Sequence, residues 1–267
     1  MGRAGAGVYA SGDYVQISVQ NGSVISGNES TEDHDGAQGG GIYLYGVGVR
    51  LDIADSSVSG NTAERYGGAV YLSNNSAADP GQLTVSHSQV NDNEATDRSG
   101  GGLWTYQTAV TITHSTLNDN RAPNVGGDYN GGAIHITGAG SRLILTDSTL
   151  TGNSASASGG GIYINAPSAQ ALIVRSVISG NLSLRDGVNT RAGGLYLSGN
   201  RLTIHDSTFA HNRVGQPGYT ASQNGGGIAV YGATATISNT LIYGNAAYGS
   251  SNADGGGRYG NGDRAVI

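Results

Sequence analysis

The residues best placed to do chemistry in this sequence form a repeating column: Asp55, His87, His114, Asp147, Arg175, Asp206 and Asn239, each six positions before an Asn that returns every 27 to 33 residues. If successive members stack, His87 lies beside His114 and Asp147 beside Arg175. That grouping suits a polysaccharide lyase, in which a base takes the proton beside a uronate carboxylate and a cation neutralises that carboxylate. His114, Asp147 and Arg175 are the catalytic candidates on that reading. A glycoside hydrolase needs instead two or three carboxylates on neighbouring repeats, so that one is held protonated. Asp55, Asp147 and Asp206 are never adjacent, so that pair is missing from the column. The plainer account makes all seven polar corner residues and leaves the chain with no catalytic residue.

What positions the column is an internal repeat. A Gly-Gly or Ala-Gly pair leads into an apolar residue at Val8, Ile42, Val70, Leu103, Ile134, Ile162, Leu195 and Ile228, 28 to 34 residues apart. The turn Asn keeps step with it at Asn28, Asn61, Asn93, Asn120, Asn153, Asn181, Asn212 and Asn245. Within each copy apolar residues alternate, as in Ile42-Tyr43-Leu44, and no stretch carries a helical period. Strands so short cannot bury their own apolar face, so the copies must stack and pair in parallel. The sequence therefore predicts an all-β fold, a right-handed parallel β-helix of about eight coils of roughly 30 residues with three short parallel sheets. It reads as one solenoid over residues 1–267, rising about 4.8 Å per coil.

Counting back from each Asn gives the columns of that stack. Three residues before it stand Ile25, Val58, Val90, Leu117, Leu150, Ile178, Phe209 and Ile242, all apolar and so interior. Five before it stand Ser23, Ser56, Ser88, Ser115, Ser148, Ser176, Ser207 and Thr240, a hydroxyl ladder. The Asn column itself reads as an inward amide ladder, each amide donating to one neighbour and accepting from the other. The residue just before the Asn is Gly, Asp or His, types that tolerate positive φ, which marks a tight turn.

Composition removes other classes. Of 267 residues 47 are Gly and only 12% are charged, which excludes a helical bundle, and the glycines lack the three-residue period of collagen. The apolar runs are too short to span a membrane. No basic segment followed by an apolar one comes after Met1, so no secretory signal is read. Cys is absent, every basic residue is Arg, and the net charge is −6, a poor balance for nucleic acid or anionic lipid. The 6 His are scattered, and neither Ca²⁺ nonapeptides nor an EF-hand loop occurs, so neither metal nor cofactor is assigned.

Three surfaces could bind a partner. The residue after each apolar anchor points outward, giving Tyr9, Tyr43, Tyr71, Trp104, His135, Tyr163, Tyr196 and Ala229, accompanied by Tyr45, Tyr106 and Tyr231. The six Tyr and Trp of the first row are the candidate binding residues for sugar rings or a protein surface. They could equally stack and stiffen the sheet. Rows of Thr84 with Ser86, Thr111 with Thr113, Thr203 with His205 and Thr236 with Ser238 resemble ice-binding surfaces, with breaks at Asp52, Ile144 and Leu172. The loops after each Asn carry Glu32, Asp33, His34, Asp35, Asp97, Asp128, Tyr129, Asp186, Tyr219 and Asp254 along one edge.

The alternating landmarks, such as Gly-Gly-Ala-Ile at Gly131 to Ile134 followed by Asn153, resemble the repeats of polymorphic outer membrane proteins and of bacterial surface proteins with right-handed β-helix repeats. Phe209 to Asn212 matches the Phe-containing second motif of the former, and the other copies use Ile, Val or Leu. The resemblance implies an extracellular or cell-surface module of bacterial origin, adhesive or structural, and fixes no chemistry. Both termini fall within the repeat, which suggests a segment of a longer protein or a unit stacking end to end into filaments. The expectation is a non-catalytic module whose partner is itself or an extracellular polysaccharide, without nucleic acid or membrane insertion. A polysaccharide-active enzyme, lyase before hydrolase, is the alternative, and ice binding a third reading.

Overall fold

One circuit shows how the alternation folds. In the computed structural model, which describes residues 6–31, 36–124, 126–127, 129–186 and 189–249 and the backbone of 258–261 and 265–266, the chain passes through three to five short strands per level. On one level they are Ile162–Asn165, Gln170–Val174, Val177–Ser179, Leu182–Ser183 and Thr190–Arg191, after which the chain returns to Leu195–Ser198. Ile162, Ile164, Ala171, Ile173 and Ile178 point inward and are buried, while Tyr163, Gln170, Leu172 and Val177 face out. The return is made without register slip, Ile162 pairing with Leu195, Tyr163 with Tyr196 and Ile164 with Leu197, all in parallel. Each column of like residues in the sequence is thereby a straight column in space.

Two nine-stranded sheets run along the stack. The first extends from Val8–Ser11 to Arg258–Asn261 and the second from Gln16–Val19 to Ala265–Val266. The remaining side of the coil is divided by the Asn turn. Ahead of the turn lies a narrow third sheet, with Val24–Ser26 and Ser57–Ser59 at one end and four strands from Thr149–Thr151 to Leu241–Tyr243 at the other. Single bridges through Gln89 and Thr116 join these two pieces. Past the turn, an eight-stranded fourth sheet of two-residue strands such as Thr62–Ala63 closes the circuit. Among the described residues there is no helix.

The apolar columns merge into one core from Val19 to Ile237. Val58, Val90, Leu117, Leu150, Ile178 and Phe209 are wholly buried, whereas Ile25 and Ile242, on the outer coils, are half-buried. Burial of a large apolar side chain contributes about 1.5 to 3 kcal/mol, and here the covering surface comes from the coils above and below. Polar columns are closed the same way. The Asn93 amide Nδ2 donates to Asn120 Oδ1 and to the Val58 carbonyl, both at 3.0 Å, and the Asn93 backbone N–H reaches the same Oδ1 at 3.1 Å. The Ser88 hydroxyl donates to the Ser86 carbonyl at 2.7 Å and accepts the Ser56 backbone N–H at 3.0 Å.

The paired glycines have two different causes. Gly67, first of its pair, sits at φ 66°, where a Cβ is disfavoured. A Cβ on Gly68, the second, would collide with the carbonyl of Gly101 in the next coil. The third place admits Ala, as at the buried Ala69 and Ala133. The residue before the turn Asn also has positive φ, 65° at Gly60, 56° at Asp92, 55° at Asp119 and 55° at His211.

Candidate functional site

Between the second and third sheets the chain bends sharply, and one residue per coil takes the left-handed conformation. These are Asp55 at φ 48°, His87 at 47°, His114 at 48°, Asp147 at 49°, Arg175 at 44°, Asp206 at 52° and Asn239 at 43°, the whole candidate catalytic column. Asn, Asp and His are the side chains that visit this region most readily. The bend thus accounts for six of the seven residue types without any chemistry. Arg175 is the exception, since an ordinary side chain there costs roughly 1 to 2 kcal/mol.

Consecutive members of the column interact along the axis. The His87 and His114 rings stack at 4.9 Å with 8° between planes. Arg175 forms a two-pronged pair with Asp147, Nε to Oδ1 at 2.7 Å and Nη2 to Oδ2 at 2.8 Å. His114 Nε2 stands 3.8 Å from Asp147 Oδ2, beyond hydrogen-bond reach. One coil further, His205 Nδ1 lies 2.9 Å from Asp206 Oδ2, and the Asn239 amide donates to Asp206 Oδ1. The Arg175 hydrogen bonds hold the Asp147 carboxyl below the usual carboxylate range, and those from His205 and Asn239 do the same for Asp206. The structure brings His114, Asp147 and Arg175 together, yet the guanidinium that would neutralise a uronate already faces a carboxylate of its own chain.

The aromatic stripe stands on the outer face of the first sheet. Its rings form a continuous pile: Tyr9 to Tyr43 at 5.0 Å, Tyr43 to Tyr71 at 5.0 Å, Tyr71 to Trp104 at 4.6 Å, Trp104 to His135 at 6.2 Å, His135 to Tyr163 at 4.9 Å and Tyr163 to Tyr196 at 4.9 Å. At Ala229 the pile steps sideways to Tyr231, 5.6 Å from Tyr196. Tyr71, His135 and Tyr196 are buried, Tyr43, Trp104 and Tyr163 half-buried, and Tyr9 on the outermost coil is 53% exposed. Part of the cover is Tyr66, which lies 5.1 Å from Trp104 and under the guanidinium of Arg65, while Arg191 lies over Tyr231 at 4.7 Å. Burial pushes the Tyr71 phenol up and the His135 imidazole down to about 4. The neutral His135 ring keeps one polar contact, Nδ1 to the Asn130 carbonyl at 3.2 Å.

The family model described as the right-handed β-helix region matches residues 4–178 and 40–261, which together cover most of the chain. The chain belongs to the right-handed β-helix family. No curated protein and no solved structure matches it.

Elsewhere on this β-helix the loop side chains tie one loop to the next. Asp97 Oδ1 accepts from the Asn124 amide at 2.6 Å and from the Tyr129 hydroxyl at 3.4 Å, with Arg98 over the Tyr129 ring. Asp186 Oδ1 accepts the Thr220 backbone N–H at 2.8 Å, and the Tyr219 hydroxyl reaches the Leu184 carbonyl at 3.4 Å. Glu32, Asp33, His34, Asp35, Asp128 and Asp254 lie outside the described residues. The Thr row pairs Thr84 with Thr111 but then meets Ile144 and Leu172 before Thr203 and Thr236. Among the described residues no three His, Asp or Glu side chains are gathered to hold a metal ion, and no helix is long and apolar enough to cross a membrane. Sequence reasoning missed Tyr66, Arg65 and Arg191 as cover for the stripe. The available signal was their place, one or two residues before the glycines or Ala192 that lead into the first sheet.

Proposed function

We propose that the chain is an extracellular structural or adhesive module of a bacterial surface, a stiff β-helical spacer without catalytic activity. One observation carries this reading: the side chains that could do chemistry face each other along the axis. A sugar ring stacks on an aromatic face, but in the stripe each ring face between Tyr43 and Tyr196 is covered by the next ring. Such piles favour stiffness over ligand capture. The resemblance to polymorphic outer membrane repeats agrees with a surface role, and end-to-end association is part of the proposal. Antibody labelling of intact and permeabilised native cells tests the location; signal only after permeabilisation overturns it. Sedimentation velocity across a concentration series tests the association, which a constant monomer would remove.

A lyase is the second reading, favoured by the meeting of His114, Asp147 and Arg175 on consecutive coils. Unsaturated product from an acidic polysaccharide, lost in His114→Ala and Arg175→Ala, would establish it in place of the first.

A further inference from the structure

The aromatic pile has branches that stiffness does not require. From Trp104 the rings run to Tyr71 at 4.6 Å with 2° between planes, and from Tyr71 to Tyr43 at 5.0 Å with 7°. Two tyrosines of the neighbouring outward row branch from this run, Tyr45 at 6.5 Å from Tyr43 and Tyr106 at 6.4 Å from Trp104. They stand two coils apart with the buried Ser73 between them in register, so no ring joins them within their own row. The ring-to-ring route from Tyr106 to Tyr45 therefore passes through Trp104, Tyr71 and Tyr43. Tyr66 touches Trp104 and Tyr71 and opens no way round Tyr43.

We propose that the pile is a one-electron relay, which moves an oxidising equivalent along the axis and delivers it to the side-row phenols of Tyr45 and Tyr106. The oxidant it answers is a one-electron one, such as a peroxide-derived radical or the oxidised haem of a peroxidase. Cys is absent and Met1 is the sole thioether, so the aromatic rings are the groups of this chain that such species oxidise most readily. Electron exchange falls steeply with the gap between rings, and every step here lies within the roughly 4.5 to 7 Å range of an ordinary aromatic pair. Where the relay ends is set by the proton, because an oxidised phenol settles as a neutral radical only by giving up its O–H proton. Tyr71 is buried and its phenol faces the Ser73 hydroxyl, a poor base. His135, on the other side of Trp104, is pushed down to about 4 by burial and is a poor base too. Tyr45 is 37% exposed and Tyr106 half-buried, so water takes the proton there. The electron passes to the oxidant, the proton to water, and a neutral phenoxyl radical is left on Tyr45 or Tyr106. A soluble phenol or enediol that gives back one electron and one proton restores the tyrosine.

A photo-oxidant tethered at one point tests the relay. The chain has no cysteine, so Ala139→Cys takes a single ruthenium tris-bipyridyl label. Ala139 is exposed and follows Gly138, where a Cβ would meet the Tyr106 ring. After a flash in the presence of a cobalt(III) quencher, radicals are captured with a nitroso spin trap and mapped by mass spectrometry. Adducts are expected at Tyr106 and at Tyr45, two coils away. Tyr43→Phe/Tyr71→Phe keeps both rings in the pile and removes their ready oxidation, so the Tyr45 adduct is expected to be lost and the Tyr106 adduct kept. Should that double variant fail to fold, a label at Gln89→Cys, on the exposed face of the third sheet, gives the comparison in an otherwise unchanged chain, with no adduct expected at Tyr45. Oxidation that stops at Trp104 or Tyr106, a Tyr45 adduct that survives the double variant, or an equal one from the label at Gln89 overturns the relay. So does the absence of any protein radical after quenching.

Discussion

Asn120 is bound to Asn153, thirty-three residues away, by a side-chain amide that donates to Oδ1 at 3.1 Å while its second proton serves the Val90 carbonyl at 2.8 Å. Its own Oδ1 accepts both the backbone and the side-chain N–H of Asn93. Asn120→Ala therefore strands donors and acceptors on two other coils. The expected loss is about 1 to 3 kcal/mol, read as a lower urea midpoint with unchanged slope. Asn28→Ala, on a half-buried outer coil, should lose less, because water can replace the missing partner.

Glycines of one repeat should differ sharply in tolerance. Gly68→Ala places a methyl group against the Gly101 carbonyl and the backbone of Glu94, with no flexible side chain to yield. Gly102→Ala also brings a Cβ against backbone, 2.6 Å from the Ala133 carbonyl, but it lies in the column where Ala69 and Ala133 are accommodated and meets that one backbone oxygen rather than several. The first is expected to unfold at a clearly lower temperature than the second, and equal midpoints would show that the backbone layers can separate at no cost.

His135 supplies an acid sensitivity with a defined window. Its folded value of about 4 lies below the ordinary 6.5 because burial disfavours the imidazolium. As pH falls below 6.5 the unfolded chain takes up the proton first, so stability drops from there and levels off near pH 4. The full loss is on the order of 3 kcal/mol. His135→Phe keeps a ring between Trp104 and Tyr163 and should flatten this part of the stability profile measured by denaturation between pH 4 and 7. Profiles that run parallel in the two proteins would contradict the assignment.

Arg175 combines a disfavoured backbone with an exposed ion pair. Arg175→Asn restores a residue type suited to φ 44° and gives up the Asp147 contacts. Relief of the backbone strain against the loss of a solvent-screened surface pair predicts a thermal midpoint unchanged or slightly raised. A marked drop would mean that the pair supports the corner far more than its exposure suggests.

The stack was legible because it copies residues at a nearly constant interval. Asn, Ser and the apolar position before them each mark a column, and the register of Ile162 on Leu195 simply places like on like. The division of the third side around the Asn turn was harder to foresee, since strands of two or three residues leave almost no alternation to read. At the corner, the types Asp, His and Asn carried the left-handed signal in plain view, but Arg175 and the attraction of a catalytic reading concealed it. The cover over the stripe was faint for another reason. Tyr66 and Arg65 end a loop whose length differs from coil to coil, and only their place one and two residues before Gly67 hints that they return to the stripe beside Trp104.

Zero register slip between levels means that a gene can gain or lose an entire turn of the rod and leave every remaining column intact. Copy number, more than substitution, is the natural dial for such a molecule. Duplication in frame sets its reach one step at a time, and each new layer is born already complementary to the ones it joins.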